Sequence, residues 1–430
     1  MDVNITQSKA LRGEIQVSAD KSISHRALIF AALAHGESTV RNILQAQDTF
    51  STCFCLRQLG VDIRSEQEGL IIAGKGWEAL REPEDVLNCG NSGTTMRLLA
   101  GLLAGRPFLS ILNGDASLRQ RPMQRVIEPL NKMGAAISAR QKGLAPLAIQ
   151  GGPLLGIEYR LAVASAQLKS ALLLAGLQAQ GKTVLQEPDP SRDHSERMLS
   201  AMGADIQVES QTITLCPGHP LQPQQFVVPG DISSAAFFIV AATIVPGSEL
   251  LIRNVGINPT RAGIIEVLSA MGARINMENT RVLEGEPVAD LLVRSSSLHG
   301  LVIKGNMIPR LLDEIPVLAV AMAVAEGESR IEDAGELRVK ESDRITAICS
   351  QLNKMGASLE ELPHGLQITG KPGQLKGAAV HSCGDHRIAM SLAVAALLAG
   401  GETVISGAQV VDISFPRFWS LLQTLSKSSS

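Results

Sequence analysis

The chain has 430 residues, enough for two or more domains with sizeable cores. Hydrophobic residues make up 45% of it and aromatic ones only 3%, so its interior must be built from aliphatic side chains and alanine. A formal net charge of -3 gives no hint of the broad basic surface that nucleic acid or an anionic membrane selects, and leaves cations to act locally.

Residues 1–16 lack the apolar run of a signal peptide, and the longest apolar stretches, such as 388–400, fall short of the roughly 18 residues a membrane span needs. A soluble cytosolic protein is expected. The six cysteines, Cys53, Cys55, Cys89, Cys216, Cys349 and Cys383, are scattered and form no C-x-x-C pair, which suits free thiols in a reducing compartment. Cys53, Cys55, His381 and Cys383 do not make a tetrahedral set at plausible spacing, so no metal site is expected.

Taken in chain order, an extended lead-in, Glu14-Ile15-Gln16-Val17, runs into Asp20, a good N-cap, and then into the helical run Ala27 to Leu33. Lys21, Ser22, Ser24 and Arg26 therefore lie in the first turns of a helix whose free N–H groups and dipole already favour an anion. His25 reads as a packed, hydrogen-bonded histidine. The design recurs at Gly90-Asn91-Ser92-Gly93-Thr94, Ser165-Ala166-Gln167, Asp231-Ile232-Ser233-Ser234, Asp313-Glu314-Ile315 and Asp385-His386-Arg387, at intervals of roughly 70 residues.

Each such helix should stop at glycine and pass into a β-branched strand, as at Gly181-Lys182-Thr183-Val184 and Gly401-Glu402-Thr403-Val404. A second helix should end in Leu/Met-Gly, as at Leu59-Gly60, Met133-Gly134, Met202-Gly203, Met271-Gly272 and Met355-Gly356, before two short strands. The repeating unit is βαβαββ. The last copy lacks its strand pair and ends in Ser-rich residues, whereas the N-terminus opens with two strand-like pieces and no helix. The expected organisation is a discontinuous domain of residues 1–18 plus 233–430 and an inserted domain of 19–232, three repeats each. Hinges fall near 18–20 and 229–233.

If the repeated helix starts face one another across the interdomain cleft, they gather Lys21, Arg26, Arg97, Lys169, Lys340, Arg344 and Arg387, with Arg119, Arg121 and Arg125 in a nearby loop. A near-neutral protein that collects cations at helix starts suits a small polyanion bearing phosphate and carboxylate. Asp313 and Glu341 oppose that charge, and proton transfer is the natural reason for carboxylates in such a place.

These residues carry a resemblance. The motifs Asp20-Lys21-Ser22-Ile23-Ser24-His25-Arg26, Gly90 to Arg97, Arg121-Pro122-Met123, Arg338-Val339-Lys340-Glu341-Ser342-Asp343-Arg344 and Asp385-His386-Arg387 are similar to those of the 5-enolpyruvylshikimate-3-phosphate synthase family, over essentially the whole chain. The resemblance implies a two-domain inside-out α/β barrel of six βαβαββ repeats. It implies transfer of the enolpyruvyl group of phosphoenolpyruvate to shikimate 3-phosphate, in the route to chorismate and aromatic amino acids, by a cytoplasmic monomer without cofactor or metal. It assigns shikimate 3-phosphate to Lys21, Ser22, Arg26, Ser165, Gln167, Arg192, Asp313 and Lys340, and phosphoenolpyruvate to Lys21, Gly93, Arg121, Gln167, Arg344 and Arg387. Asp313 would be the base at the 5-hydroxyl, and Glu341, with Lys21 close by, the proton donor to the methylene.

There are departures. Ile413 stands where many members carry lysine, and Ala19 replaces the usual glycine before Asp-Lys. The segments Arg192-Asp193-His194-Ser195-Glu196, Ser165-Ala166-Gln167-Leu168-Lys169 and Asn258-Pro259-Thr260-Arg261 resemble the family's glyphosate-tolerant class, whereas Gly93 points the other way, so the response to the inhibitor glyphosate stays open. Two rivals are a UDP-N-acetylglucosamine enolpyruvyl transferase and a non-catalytic anion-binding protein. The first usually has a reactive cysteine in the loop equivalent to Leu118-Arg119-Gln120-Arg121-Pro122, which has none here; the second leaves Asp313 and Glu341 unexplained.

Overall fold

The computed structural model describes residues 1–67 and 69–427. The Ser-rich end, 428–430, lies outside the described residues. The chain forms two compact units. A split unit comprises Met1–Ser18, Pro229–Val282 and Pro287–Ser430; an inserted unit comprises Ala19–Val228 with Leu283–Glu286. Residues 229–232, expected with the inserted part, go with the split unit. The amide of Gly230 donates to the Asn254 carbonyl (2.7 Å) and that of Asp231 to the Ser18 carbonyl (2.9 Å), both on the split side.

In the inserted unit, helices Lys21–Leu33, Gly93–Ala104 and Ala166–Gly176 are buried along almost their whole length. Their sequences explain this: Ala, Leu, Ile and Phe occur on every face, so no stripe is left for solvent. Each start is closed by a side chain. Asp20 Oδ1 accepts from the Ile23 amide (2.8 Å), Ser92 Oγ from the Thr95 amide (3.1 Å) and Ser165 Oγ from the Leu168 amide (3.4 Å). Gly101 lets two of these helices touch, since a Cβ there would lie 2.1 Å from the Ala171 carbonyl oxygen.

Sheets surround these helices. Leu87–Asn88 runs parallel to Leu109–Asn113, which pairs antiparallel with Leu144–Gln150, itself antiparallel to Ala136–Arg140. Three other four-stranded sheets repeat that order and those directions. Parallel neighbours cannot be joined by a tight turn; between Leu87–Asn88 and Leu109–Asn113 the buried helix Gly93–Ala104 is the crossover.

The split unit is built alike around helices Ile232–Ile244, Ile315–Val324 and His386–Ala396. An aromatic cluster lies here, with Phe238 and Phe415 packed on Phe418 at centroid distances of 5.6 and 5.7 Å. Both N-terminal strands join this unit. Asp2–Thr6 pairs antiparallel with Glu402–Ser406, and Arg12–Ile15 pairs parallel with Glu249–Gly256.

One helix start differs from expectation. The helix after Asp313 begins at Ile315, and Glu314 occupies the cap position without capping through its side chain. Pro316 brings no N–H to the first turn, so one fewer donor needs an acceptor there. Asp313 is thereby released from capping. Among the described residues no helix is long and apolar enough to cross a membrane.

Candidate active site

In the inserted unit the cap of Asp20 leaves Lys21 as the first helical residue, and its ammonium meets Asp48 Oδ2 at 3.2 Å. Asp48 opens the helix Gln47–Gln58. Arg26, one turn on, is 2% exposed; its Nε donates to Ser195 Oγ (2.7 Å), one Nη to Ser170 Oγ (2.7 Å) and the other to the Ser22 carbonyl (2.9 Å). Burial lowers its pKa to about 10, so it stays cationic at neutral pH. Arg192 Nη1 approaches Ser22 Oγ at 3.4 Å. Lys21, Ser22, Arg26 and Arg192 therefore form one group.

A second group forms at helix Gly93–Ala104. Arg97 Nη1 donates to Gln167 Oε1 (2.6 Å), and Gln167 Nε2 donates to Thr94 Oγ1 (2.9 Å), which orients the Gln167 amide. Arg121 donates to Asn91 Oδ1 (2.6 Å). A Cβ on Gly93 would sit 2.8 Å from Arg97 Nη1 and 3.5 Å from Arg121 Nη1, so the absence of a side chain leaves room for two guanidiniums. Ser165 caps the neighbouring helix.

Buried hydroxyls join the groups. His25 Nδ1 bonds Thr52 Oγ1 (2.7 Å), Thr52 bonds Thr95 (2.7 Å), and Thr95 donates to Ser92 Oγ (2.8 Å). Burial pushes His25 down to about 3, so its ring is neutral here, a packed histidine.

Lys169 needs correction. Read as a cation of the anion site, it is 1% exposed and its ammonium lies 2.8 Å from Glu187 and 2.6 Å from Glu196. Burial raises the Glu196 pKa while Lys169 opposes that shift. Lys169 balances buried carboxylates and presents no charge to solvent.

In the split unit everything turns on Arg344. Its side chain is 1% exposed, and its three nitrogens reach three carboxylates: Nε to Asp385 Oδ2 (2.8 Å), Nη1 to Asp313 Oδ1 (3.1 Å) and Nη2 to Glu341 Oε2 (2.7 Å). Burial alone would lower the Arg344 pKa, but Asp385, Glu341 and Asp313 outweigh it and hold it above the ordinary arginine value. For Asp385, burial pushes upward, and Arg344 first among its neighbours overcomes this and holds the carboxyl below the usual range. Asp385 also caps helix His386–Ala396 through the Arg387 amide (2.8 Å). Arg387 returns to Asp313, donating to its carbonyl (3.0 Å) and lying 3.6 Å from its carboxylate. Lys340 pairs with Glu336 at 3.0 Å. Asp313 and Glu341 keep 18% and 24% of their side chains exposed, so both are fixed yet reachable.

The chain matches a family model over residues 5–422, described as EPSP synthase (3-phosphoshikimate 1-carboxyvinyltransferase). The chain belongs to the EPSP synthase family. It is 63% identical to the 3-phosphoshikimate 1-carboxyvinyltransferase of Syntrophomonas wolfei over 97% of this chain and 98% of that protein. It is 54% identical to the enzyme of that name from Desulforudis audaxviator over 99% of each. The solved EPSP synthase of Acinetobacter baumannii is 43% identical, with a TM-score of 0.89 over 99% of this chain and 98% of that one. The mixed α/β fold is that of EPSP synthase structures.

Among EPSP synthase motifs, Asp385 is legible as a helix start ahead of His386-Arg387, but its ion pair with Arg344 is not. Asp48, the partner of Lys21, goes unnoticed in a sequence reading aimed at cations, because its pairing spans 27 residues.

Proposed function

We propose that this chain transfers the enolpyruvyl group of phosphoenolpyruvate to the 5-hydroxyl of shikimate 3-phosphate and releases phosphate, a step toward chorismate and the aromatic amino acids. The observation that carries the reading is Arg344 holding Asp313 and Glu341 together, at 3.1 and 2.7 Å, as a preorganised pair for proton transfer. The family membership supports the same chemistry.

The 5-hydroxyl oxygen attacks C2 of phosphoenolpyruvate while C3 takes a proton and becomes a methyl group. The resulting tetrahedral adduct then loses a methyl proton and expels phosphate, which restores the C2–C3 double bond in the product. Asp313 takes the hydroxyl proton and Glu341, aided by Lys21, supplies the proton to C3. Lys21, Ser22, Arg26, Ser165, Gln167, Arg192, Asp313 and Lys340 hold shikimate 3-phosphate. Lys21, Gly93, Arg121, Gln167, Arg344 and Arg387 hold phosphoenolpyruvate. Arg26, committed to protein oxygens, contributes mainly its charge and the position of Ser22. Such cations offset the repulsion between two anionic substrates and align them. We infer further that the fold is the two-domain inside-out α/β barrel of six βαβαββ units, three per domain. The shared strand order of the four-stranded sheets supports this. The enzyme acts as a cytoplasmic monomer on small molecules, without nucleic acid, cofactor or metal.

Phosphate release from phosphoenolpyruvate is the direct test. Release should require shikimate 3-phosphate and should not occur with UDP-N-acetylglucosamine; release with the sugar nucleotide alone would favour the rival transferase. Gly93→Ala should raise KM for phosphoenolpyruvate by about 10-fold, the worth of one charge-assisted hydrogen bond, because its Cβ displaces Arg97 and crowds Arg121. An unchanged KM in steady-state assays would remove Gly93 from that subsite.

A further inference from the structure

The segment Asn258-Pro259-Thr260-Arg261 has no part in the site described above, yet it is firmly built. Asn258 Oδ1 accepts from the Thr260 amide (2.9 Å) and hydroxyl (2.7 Å), and the Arg261 amide donates to the Asn258 carbonyl (2.8 Å). This turn drives the Arg261 side chain inward, where it is 3% exposed. A guanidinium so placed carries a large desolvation cost unless it is paired, and structures keep such groups for a reason.

Its partners point toward Asp313. One Arg261 Nη donates to Asp231 Oδ1 (2.8 Å) and to Ser233 Oγ (2.7 Å). The Ser233 hydroxyl in turn donates to the carboxylate of Glu314, which is 1% exposed. A hydroxyl has one proton; with that proton on Glu314, its lone pairs face Arg261, so the relay has a fixed direction. Glu314 follows Asp313 directly and sits at the cap position of helix Ile315–Val324 without capping it through its side chain. Its amide donates to the Leu311 carbonyl (2.9 Å), and its carbonyl accepts from Leu318 (2.9 Å). With side chain and both backbone groups of Glu314 held, the Asp313 Cα has little freedom, and the carboxylate is aimed at Arg344 and Arg387. Asp231, the other anchor, donates its amide to Ser18, so the relay starts where the chain returns to this unit.

We propose that Arg261, acting through Ser233 and Glu314, is a positioning residue that sets the Asp313 carboxylate for proton transfer. The proposal rests on the reading of Asp313 as the base. It gives the Asn258–Arg261 turn a task in the reaction.

The test is a double-mutant cycle on purified full-length protein, reading kcat and both KM values from phosphate release. Ser233→Ala breaks the relay without removing a charge, and should lower kcat by about 10- to 100-fold, the scale of a small misplacement of a catalytic group. Both KM values should stay within about twofold, because the loss is confined to the transition state. Ser233→Thr, which restores the hydroxyl, should recover most of kcat. In an Asp313→Asn background the Ser233→Ala change should cost nothing further, since the residue it positions is already disabled. Equal losses in both backgrounds, or a wild-type kcat for Ser233→Ala, would overturn the proposal. Arg261→Lys, too short to serve both partners, provides a second variant should Ser233→Ala not fold. If wild-type protein turns over and Asp313→Asn retains normal kcat, the assignment of the base is what fails.

Discussion

Asp313→Asn is expected to lower kcat by about 10²–10⁴, the usual worth of a general base. The amide is nearly isosteric and still offers an oxygen to Arg344 Nη1, which lies 3.1 Å from Oδ1 in the native protein. The backbone contact from Arg387 to the Asp313 carbonyl is untouched. Geometry is therefore largely kept while basicity is lost, and kcat should fall much further than KM for either substrate rises. Glu341→Gln is the matched comparison, since its carboxylate is held by the same arginine at 2.7 Å and its amide loses the proton to be donated. Steady-state kinetics on both variants decides the matter: near-normal kcat in both would show that the carboxylates only bind.

Arg344→Gln should reveal a different dependence, on stability. One buried side chain pairs with Asp385, Asp313 and Glu341, and Asp385 is itself fully buried. Removing one partner of a buried ion pair leaves uncompensated charge and costs about 3–5 kcal/mol. For a unit of this size that corresponds to a drop in melting temperature on the order of 10 °C. Arg344→Lys should restore little, because an ammonium cannot hold three carboxylates from three nitrogens in one plane.

The pH dependence has a definite sign. The Asp385 carboxyl titrates below its ordinary range in the folded protein, so its contribution is present above the unfolded carboxylate pKa of about 3.9 and is lost as pH falls through the folded value. Arg344 is shifted upward, so its share is complete throughout the neutral and acid range. The gap in melting temperature between wild type and variant should thus be widest near neutrality and close in acid. A melting temperature at pH 7 within about 1 °C of wild type would contradict a structural role of this size.

Local chemistry is what a sequence displays, and the site divides along that line. Asp20, Ser92, Ser165, Asp231 and Asp385 can be recognised as caps because a cap acts on an amide two or three residues away. Asp313 breaks the pattern for an equally local reason, the proline at 316. Lys169 misleads because its partners, Glu187 and Glu196, come from residues a helix and a strand further on. Burial of a lysine at a helix start cannot be read without them. The Arg261 relay is less visible still, since it joins positions 28 and 81 residues apart through a serine hydroxyl.

The pairing of Asp2–Thr6 with Glu402–Ser406 bears on the order in which the molecule can be made. The inserted unit, apart from residues 283–286, is one unbroken segment from Ala19 to Val228. A ribosome delivers it whole, and it can collapse as soon as it emerges. The strand Asp2–Thr6 is made before that segment, yet its partner Glu402–Ser406 appears only some four hundred residues later. Throughout that interval its backbone groups are open to pairing with a stranger.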